Sequence, residues 1–338
     1  MAYLIDAKNS KELWQKVTML LNKESKEVDS RCGDSKELLH VLMQLREPGQ
    51  KWIYNRVPPI NVSFALAELF WILQGSDDKK IIDTWSVHYK DFASDHNSDI
   101  YYGAYGFRLR KNFGIDQIER AYRALKGKPN NRQTVMIIWD PKKDMPDGIK
   151  GEPRSNDIPC NICSLLKIRE HKLEWTQIMR SNDLFRGLPY NLVQFTSIQE
   201  ILAGWLKIDV GSYNHYSDSL HLYDYDGNID NVESNISLLN NDILSIGYDE
   251  FQNIAKEIYS RIETLAFNID LNDEQLINIA TLNSQNQAYN NIMYLIAAYP
   301  IRTKFHNKNL ADKVVSNCTN EMYKYLWRLW VEYYGNKQ

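Results

Sequence analysis

A predicted β-hairpin constrains the fold of this chain more than any other feature. Two apolar-rich runs, at 162–168 and 173–179, are separated by a short charged turn, a pattern typical of two strands joined by a hairpin loop. The motif Pro159-Cys160-Asn161 stands directly before the first run, and Arg180-Ser181-Asn182-Asp183 directly after the second. Because a hairpin brings its two ends together, we expect the cysteine and this polar run to meet at one edge of a sheet.

Further hydrophobic patterns predict a mixed α/β (α+β) fold, in which helices flank a mixed sheet. Apolar spacing and chain breaks predict helices at 9–24, 63–73 and 194–206 and strands at 37–45, 133–139 and, in a short piece, 220–223. The run 133–139 is hydrophobic throughout, so we expect both faces of this strand to be covered.

The composition of the chain changes after residue 226. Asn, Asp and Ser dominate 227–242, and three or four helical patterns follow, at 249–267, 273–298 and 308–334. We therefore expect a catalytic core at 1–226 and a divergent α-helical region at 227–338 that packs on this core.

Charge and cysteine content exclude several classes of function. The net charge of −3 gives no support for binding nucleic acid or an anionic membrane. The N-terminus lacks the pattern of a signal peptide and no apolar run is long enough to span a membrane, so we expect a cytoplasmic protein. Its four scattered cysteines fit reduced thiols. Cys160 and Cys163 form a C-x-x-C pair without a second ligand pair nearby, so no metal site is predicted.

Two residues are candidates for acid–base or nucleophilic chemistry. Glu68 is surrounded by apolar residues on a predicted helix, and a carboxyl group in such a place is paired, protonated or exposed to a cleft. It is therefore either a general acid/base or a structural ion pair. Cys160 is either a nucleophile or a small buried apolar side chain.

Other polar residues suit the recognition of a nucleotide. Arg31, Arg180 and Ser181 together offer donors for a phosphate, although surface arginines also form ordinary salt bridges. The amide of Asn191 presents both a donor and an acceptor, which matches the edge of a uracil-like ring. His221 and Tyr223 alternate on a predicted strand and so point to one side.

The order of these motifs resembles the thymidylate synthase family over residues 25–225. The motifs that carry the resemblance are Ser30-Arg31-Cys32-Gly33-Asp34, Ala67 to Gly75, Asp83-Thr84-Trp85, Tyr105-Gly106, Asn131-Arg132-Gln133, Pro159-Cys160-Asn161, Arg180-Ser181-Asn182-Asp183, Gly187 to Asn191 and His221-Leu222-Tyr223.

The resemblance implies covalent catalysis on a pyrimidine nucleoside monophosphate. Cys160 would attack C6 of the base, and C5 would then accept a one-carbon unit from 5,10-methylenetetrahydrofolate. Glu68 and Tyr105 would transfer protons. The family implies that the phosphate is bound by Arg31, Arg180, Ser181 and, from the other subunit of a homodimer formed through the sheet, Arg132. Asn191 would bind the base, and His221 and Tyr223 would bind the sugar hydroxyl. Asp183 would bind the pterin, and Trp85 would line the folate pocket.

The chain departs from the family pattern at four places. Gln133 replaces the second of two paired arginines, Asn161 replaces a histidine, His88 replaces a tryptophan, and the region after Tyr223 does not resemble the usual ending. Because exclusion of water decides between a methyl and a hydroxymethyl product, these departures favour a hydroxymethylase over a synthase, while the amide of Asn191 favours dUMP over a cytosine nucleotide. The alternative to an enzyme is a binding module, which would show little turnover and would hold a partner through its helical C-terminal region.

Overall fold

The structure is a computed structural model that describes residues 2–30, 33–86, 98–146, 155, 157–226 and 237–335. Its strands are β1 (Tyr3–Ala7), β2 (Lys26–Val28), β3 (Ser35–Leu45), β4 (Val135–Ile137), β5 (Asn161–Arg169), β6 (Lys172–Met179), β7 (Asn182–Asp183) and β8 (Asp209–Tyr223). Its helices are α1 (Ser10–Glu24), α2 (Val62–Leu73), α3 (Lys79–Asp83), α4 (Tyr105–Arg110), α5 (Gln117–Gly127), α6 (Pro141–Asp144), α7 (Leu188–Leu206), α8 (Tyr248–Phe267), α9 (Asp273–Ala280), α10 (Gln287–Thr303), α11 (Lys308–Ser316) and α12 (Glu321–Tyr334).

The chain divides into two compact units. The first comprises Met1–Ile60, Gln117–Ile138 and Cys160–Ser237, and the second comprises Asn61–Asp116, Trp139–Pro159 and Leu238–Gln338. The predicted division at residue 226 stays a prediction.

The first unit is built on one mixed sheet with the strand order β1-β3-β8-β6-β5-β4, in which β2 pairs with β3 and β7 with β8. The predicted hairpin is confirmed as β5 and β6, which run antiparallel. Strand β6 pairs parallel with β8, and β8 pairs antiparallel with β3. The mixed α/β class predicted from the sequence is thereby confirmed.

Helix α7 contacts β6 and β8 and buries most of its length. It begins six residues before the predicted start, at Leu188, because Pro189 is compatible with the first turn of a helix, where its missing N–H is not needed. This early start places Asn191 inside the helix.

Two strands of the first unit differ from the prediction. β4 is the last strand of the sheet, and its Val135 and Ile137 side chains are 42% and 45% exposed. Within the single chain, the expectation that both faces of this strand are covered is therefore not met, because Met136 is buried while Val135 and Ile137 lie on a face that stays accessible. The predicted short strand 220–223 is the end of the fifteen-residue β8, whose earlier part carries Ser, Asn and His side chains that hide its apolar periodicity.

Strands β3 and β8 share an irregularity near their middle. His40 in β3 has a left-handed φ of +58°, and its Nδ1 lies 3.0 Å from the carboxylate of Asp218 in β8. The buried positions of β8 change from odd numbers up to Ser217 to even numbers from Leu220. Because of this irregularity, the side chains of the last residues of β8 point to the opposite faces of the sheet from those that the earlier alternation would give.

The second unit is helical. All twelve residues of α2 are buried, and α8, α10 and α12 contact this helix. The predicted helical run 273–298 is two helices, because Asn283 adopts a φ of +56° and Asn286 caps α10 by accepting a hydrogen bond from the N–H of Ala288 at 3.0 Å. The run 308–334 is likewise divided, with Asn320 capping α12. Among the described residues, no helix has the length and apolar character needed to cross a membrane.

Candidate active site

Cys160 and Arg180 face each other where the β5–β6 hairpin opens. The N–H of Arg180 donates a 3.0 Å hydrogen bond to the carbonyl of Cys160, one step beyond the pair Asn161–Met179. Residues directly opposite in an antiparallel pair carry their Cβ atoms on the same face, roughly 5 Å apart. The half-buried Cys160 side chain therefore projects beside that of Arg180.

The polar run after β6 leads directly to the predicted sugar-binding strand. Asn182 and Asp183 form β7, which pairs in parallel with Leu220 and His221, and the N–H of Leu184 donates to the carbonyl of His221 at 2.7 Å. The sheet thus brings Arg180, Ser181 and Asp183 to the same edge as His221.

Asp183 is a half-buried carboxylate, and hydrogen bonds from the described residues reach only one of its two oxygens. Its Oδ1 accepts hydrogen bonds from the N–H groups of Phe185, at 2.7 Å, and Arg186, at 2.8 Å. Burial raises the pKa of Asp183 to about 6, and the negative charge of Asp226 adds to the rise, while the two N–H donors oppose it. This carboxyl group therefore changes charge close to neutral pH.

His221 and Tyr223 lie on one side of β8. Their rings meet edge to face with centroids 5.0 Å apart, and Tyr223 stacks on Tyr225. Burial lowers the pKa of His221, and the positive charge of Arg180 lowers it further, against the opposing effect of Glu37 and Asp226. Arg180 and His221 therefore lie close enough for the charge of one to affect the other.

Asn191 projects from the beginning of α7 toward the start of β5. Its Oδ1 accepts a hydrogen bond from Nδ2 of Asn161 at 3.2 Å, and its Nδ2 donates to Oδ1 of Asn182 at 3.5 Å. A Cβ at Gly187, the residue before α7, would lie 3.0 Å from Asn182 Oδ1 and from the carbonyl of Asp183, so a glycine permits this close approach. Asn161, which departs from the family pattern, directly contacts the predicted base-reading residue.

Glu68, Tyr105 and Trp85 belong to the second unit. Glu68 is 6% exposed on α2, between apolar neighbours. Tyr105 is half-buried at the first residue of α4. Trp85 is fully buried, and its indole N–H donates to the carbonyl of Ile296 at 2.8 Å. The roles predicted for these three residues stay predictions.

Arg132 is exposed and does not join the residues around Cys160 in its own subunit. It precedes β4, and the pairing of Val135 with Leu165 and of Ile137 with Cys163 puts it beside the far end of β5. Eight residues of strand correspond to about 26 Å, so Arg132 lies far from Cys160 of the same chain. Arg31 and His88 lie outside the described residues.

A group of buried polar residues lies behind the site, and the sequence motifs include only two of them, Asn161 and Asn182. They form hydrogen bonds with one another beneath Asn191, and they are Asn161, Ser164, Gln177, Asn182, Tyr213, His215 and Ser217. The available signal was polar side chains at alternate positions of a strand, as at 213, 215 and 217, where strand periodicity places apolar side chains.

The chain matches the family model described as thymidylate synthase over residues 56–283, about two thirds of its length. The match begins after Arg31 and continues past Tyr223 into the helical region, farther than the motifs predicted. Family membership therefore extends beyond the sheet of the first unit.

Three relatives illustrate the similarity. The "Deoxyuridylate hydroxymethyltransferase" of Bacillus phage SP01 is 32% identical over 65% of this chain and 59% of its own length. The protein of the same name from Pseudomonas phage M6 is 30% identical over 52% of this chain and 49% of its own length. The "Putative thymidylate synthase" of Methanothermobacter marburgensis is 28% identical over 66% of this chain and 94% of its own length.

The chain thus spans about half to three fifths of the two phage relatives and nearly all of the archaeal one. Together with the family-model match over two thirds of its length, these similarities identify the chain as a member of the thymidylate synthase family.

Proposed function

We propose that this protein transfers a one-carbon unit to C5 of deoxyuridine monophosphate, and that the product is the 5-hydroxymethyl nucleotide. The observation that carries the proposal is the placement of Cys160 opposite Arg180, at the edge where the polar run and His221 also meet. This arrangement puts a nucleophile beside a set of groups that suit a nucleotide.

Cys160 acts as the nucleophile. Its Sγ attacks C6 of the pyrimidine, which makes C5 nucleophilic toward the incoming carbon. A guanidinium beside a thiol favours the reactive thiolate, and Arg180 is the group so placed. A cytoplasmic setting, which we also propose, keeps this thiol reduced. Burial raises the pKa of Cys163, so the second cysteine of the C-x-x-C pair is the less reactive one.

Nucleotide binding falls to the residues around this edge. Arg180 and Ser181 hold the phosphate by charge-assisted hydrogen bonds, together with Arg31. His221 and Tyr223 hold the sugar hydroxyl, and the contact between their rings keeps both in place. Asn191 reads the base, because each end of its amide still has one hydrogen-bonding position beyond those that Asn161 and Asn182 use.

The residues present fit the cofactor 5,10-methylenetetrahydrofolate. Oδ2 of Asp183 receives no hydrogen bond from the described residues, while Oδ1 is held by two backbone N–H groups, so a fixed carboxylate oxygen remains for the N–H donors of a pterin. When bound, this cofactor supplies the one-carbon unit. In the roles that the family implies, Glu68 and Tyr105 transfer protons and Trp85 belongs to the folate pocket, where its fully buried ring would form part of the wall behind the accessible surface. The low exposure of Glu68 among apolar neighbours supports such a role.

A homodimer completes the phosphate site. Arg132 lies far from Cys160 of its own chain, so a contact with the nucleotide requires a second copy. The exposed Val135 and Ile137 of β4 and the half-buried outer positions of the sheet, such as Ile178 and Tyr216, form a surface that a second sheet can cover.

Two relatives support a hydroxymethyl product, because their names are those of deoxyuridylate hydroxymethyltransferases. The relative from Methanothermobacter marburgensis, whose name is "Putative thymidylate synthase", supports methylation of dUMP as the second candidate. The two reactions share the attack by Cys160 and differ in whether water or a hydride reaches the exocyclic carbon.

The product mass tests the proposal. The protein is incubated with 5,10-methylenetetrahydrofolate and, separately, dUMP, dCMP and CMP, and the nucleotides are analysed by mass spectrometry. A hydroxymethyl adduct on dUMP is expected. A methyl adduct would replace the proposal by the second candidate, and no adduct on any nucleotide would favour a binding module.

A further inference from the structure

A continuous chain of buried hydrogen bonds reaches Asn191 from the core of the sheet. Oε1 of Gln177 accepts from the indole N–H of Trp175 at 3.1 Å and from the hydroxyl of Ser164 at 2.6 Å. Nε2 of Gln177 donates to Oδ1 of Asn161 at 2.8 Å, and Nδ2 of Asn161 donates to Oδ1 of Asn191 at 3.2 Å. Each of these side chains is at most 5% exposed, so water does not compete for these bonds.

The donor-to-acceptor direction of these hydrogen bonds follows from the chemistry of the side chains. An indole N–H only donates a hydrogen bond, so the amide group of Gln177 that faces Trp175 is its oxygen. The other end of Gln177 is then NH₂, which donates, and the atom of Asn161 that it meets is an oxygen. The remaining end of Asn161 donates in turn, so the atom of Asn191 that faces it is Oδ1.

The hydrogen bonds on the other side of Asn191, through Asn182, do not fix the orientation of its amide. Nδ2 of Asn191 donates to Asn182, and Nδ2 of Asn182 lies 3.0 Å from Nε2 of His215 and from the hydroxyl of Ser217. A neutral imidazole accepts at either nitrogen, depending on its tautomer, and a hydroxyl both donates and accepts. Nδ1 of His215 lies 3.0 Å from the hydroxyl of Tyr213, which is equally adaptable. Burial lowers the pKa of His215 to about 3, which keeps the ring neutral and adaptable at physiological pH.

The indole N–H of Trp175, at the other end of this series of hydrogen bonds, therefore holds the amide of Asn191 in one of its two orientations. Turning this amide over would place two donors or two acceptors face to face at one link, unless Gln177 also turned and set its NH₂ against the indole N–H. A buried donor left without an acceptor costs about 1–3 kcal/mol.

The orientation of this amide bears on the choice of base. Uracil presents a donor at N3 and an acceptor at O4, whereas cytosine presents an acceptor at N3 and a donor at its amino group. An amide held in one orientation pairs with one of these patterns and opposes the other, and a site that leaves buried polar groups unpaired rejects the wrong ligand strongly.

We propose that Trp175 fixes the orientation of Asn191 through Gln177 and Asn161, and that this fixed orientation selects uracil over cytosine. The inference rests on the proposed function, in which Asn191 reads the base. Trp175, Gln177 and Asn161 are thus positioning residues, and Asn161 carries the link at a position where the family usually has histidine.

The test compares W175F with a matched control, W14F. Phenylalanine retains an aromatic ring and removes the N–H. Trp14 is likewise fully buried in the first unit, and its indole nitrogen has no hydrogen-bond partner among the described residues. Dissociation constants for dUMP and dCMP are measured by calorimetry, and kcat/KM is measured for both nucleotides. We expect the preference for dUMP over dCMP to fall about ten-fold in W175F, the equivalent of one lost hydrogen bond, and to stay unchanged in W14F.

A second variant, N161D, changes the hydrogen bond between residue 161 and Asn191 with almost no change in side-chain volume. An ionised aspartate accepts from Gln177 but does not donate to Asn191, so the amide of Asn191 turns to donate. Burial favours the neutral acid, whose O–H donates as Asn161 does, so the ratio of dUMP to dCMP is measured from about pH 6 to about pH 9.5. We expect the preference of N161D to shift toward dCMP as the carboxyl group ionises, and this pH-dependent shift decides the question if W175F does not fold. An unchanged dUMP-to-dCMP ratio in folded W175F, or in N161D, overturns the inference. Failure of the wild-type protein to bind or convert either nucleotide would instead refute the proposed function.

Discussion

The backbone N–H of Arg180 donates a 3.0 Å hydrogen bond to the carbonyl oxygen of Cys160, which puts the two side chains next to each other at the open end of a hairpin. One side chain is the proposed nucleophile, and the other is a positive charge that also lowers the pKa of His221. The proposed covalent chemistry and the proposed phosphate site therefore depend on one pair of adjacent strands.

Replacement of Cys160 separates catalysis from binding. We expect C160S to lower kcat by at least about a thousand-fold, because serine is a far weaker nucleophile near neutral pH, and to change the Kd for dUMP less than about ten-fold. The matched control is C163S, whose side chain lies three residues away on β5 and has no proposed role; it should keep activity within a few-fold. Turnover of folded C160S at the wild-type rate would contradict covalent catalysis by this thiol.

Arg180 is expected to act on the phosphate. In R180A we expect KM for dUMP to rise by about 10- to 100-fold, the loss of a charge-assisted interaction worth about 1.5–3 kcal/mol. The measurement is repeated with deoxyuridine, which has no phosphate. The rise in KM should nearly disappear with this substrate, whereas a fall in kcat, which reports the effect of Arg180 on the thiol, should remain. An equal rise in KM for both substrates would contradict the phosphate role.

Mixing of subunits tests the role of Arg132. If this side chain serves the partner's Cys160, then R132E and C160S are each inactive, and a mixed dimer carries one intact site and one site with both changes. Co-refolding equal amounts should restore about a quarter of wild-type activity, since half of randomly assorted dimers are mixed. Sedimentation measures the dimer in the same samples. A mixture as inactive as its components would place Arg132 outside the shared site.

Asp183 makes stability depend on pH. Its pKa in the folded protein is raised to about 6, above the ordinary value near 3.9 in an unfolded chain. The folded state thus binds the extra proton, and the corresponding stability is fully present below about pH 4 and is lost as the pH rises through 6. The effect is at most about 3 kcal/mol, and solvent screening reduces it.

D183N removes this dependence while keeping an oxygen acceptor for Phe185 and Arg186. We expect the free energy of unfolding of D183N, relative to wild type, to increase between pH 4 and pH 7.5 in urea titrations. The control is D209N, which replaces an exposed aspartate at the start of β8 and should follow wild type. A wild-type curve parallel to that of D183N over this range would contradict the raised pKa.

The sequence by itself determined the hairpin, the residues at its two ends and their order along the chain. Local periodicity and turn residues are properties of short segments, so Cys160, Arg180 and Asp183 were assigned to one sheet edge without a structure. The ring contact between His221 and Tyr223 follows equally from the alternation of side chains along a strand.

Only the tertiary structure decided what lies between these segments. The exposure of Val135 and Ile137 depends on what packs on their face of β4, which the tertiary structure determines and local hydrophobicity does not. The direction of the Asn191 amide depends on Trp175, sixteen residues away in the chain and joined to it by three hydrogen bonds through Gln177 and Asn161. Such a chain forms only when two strands and a helix pack together, because each amide takes its orientation from the next.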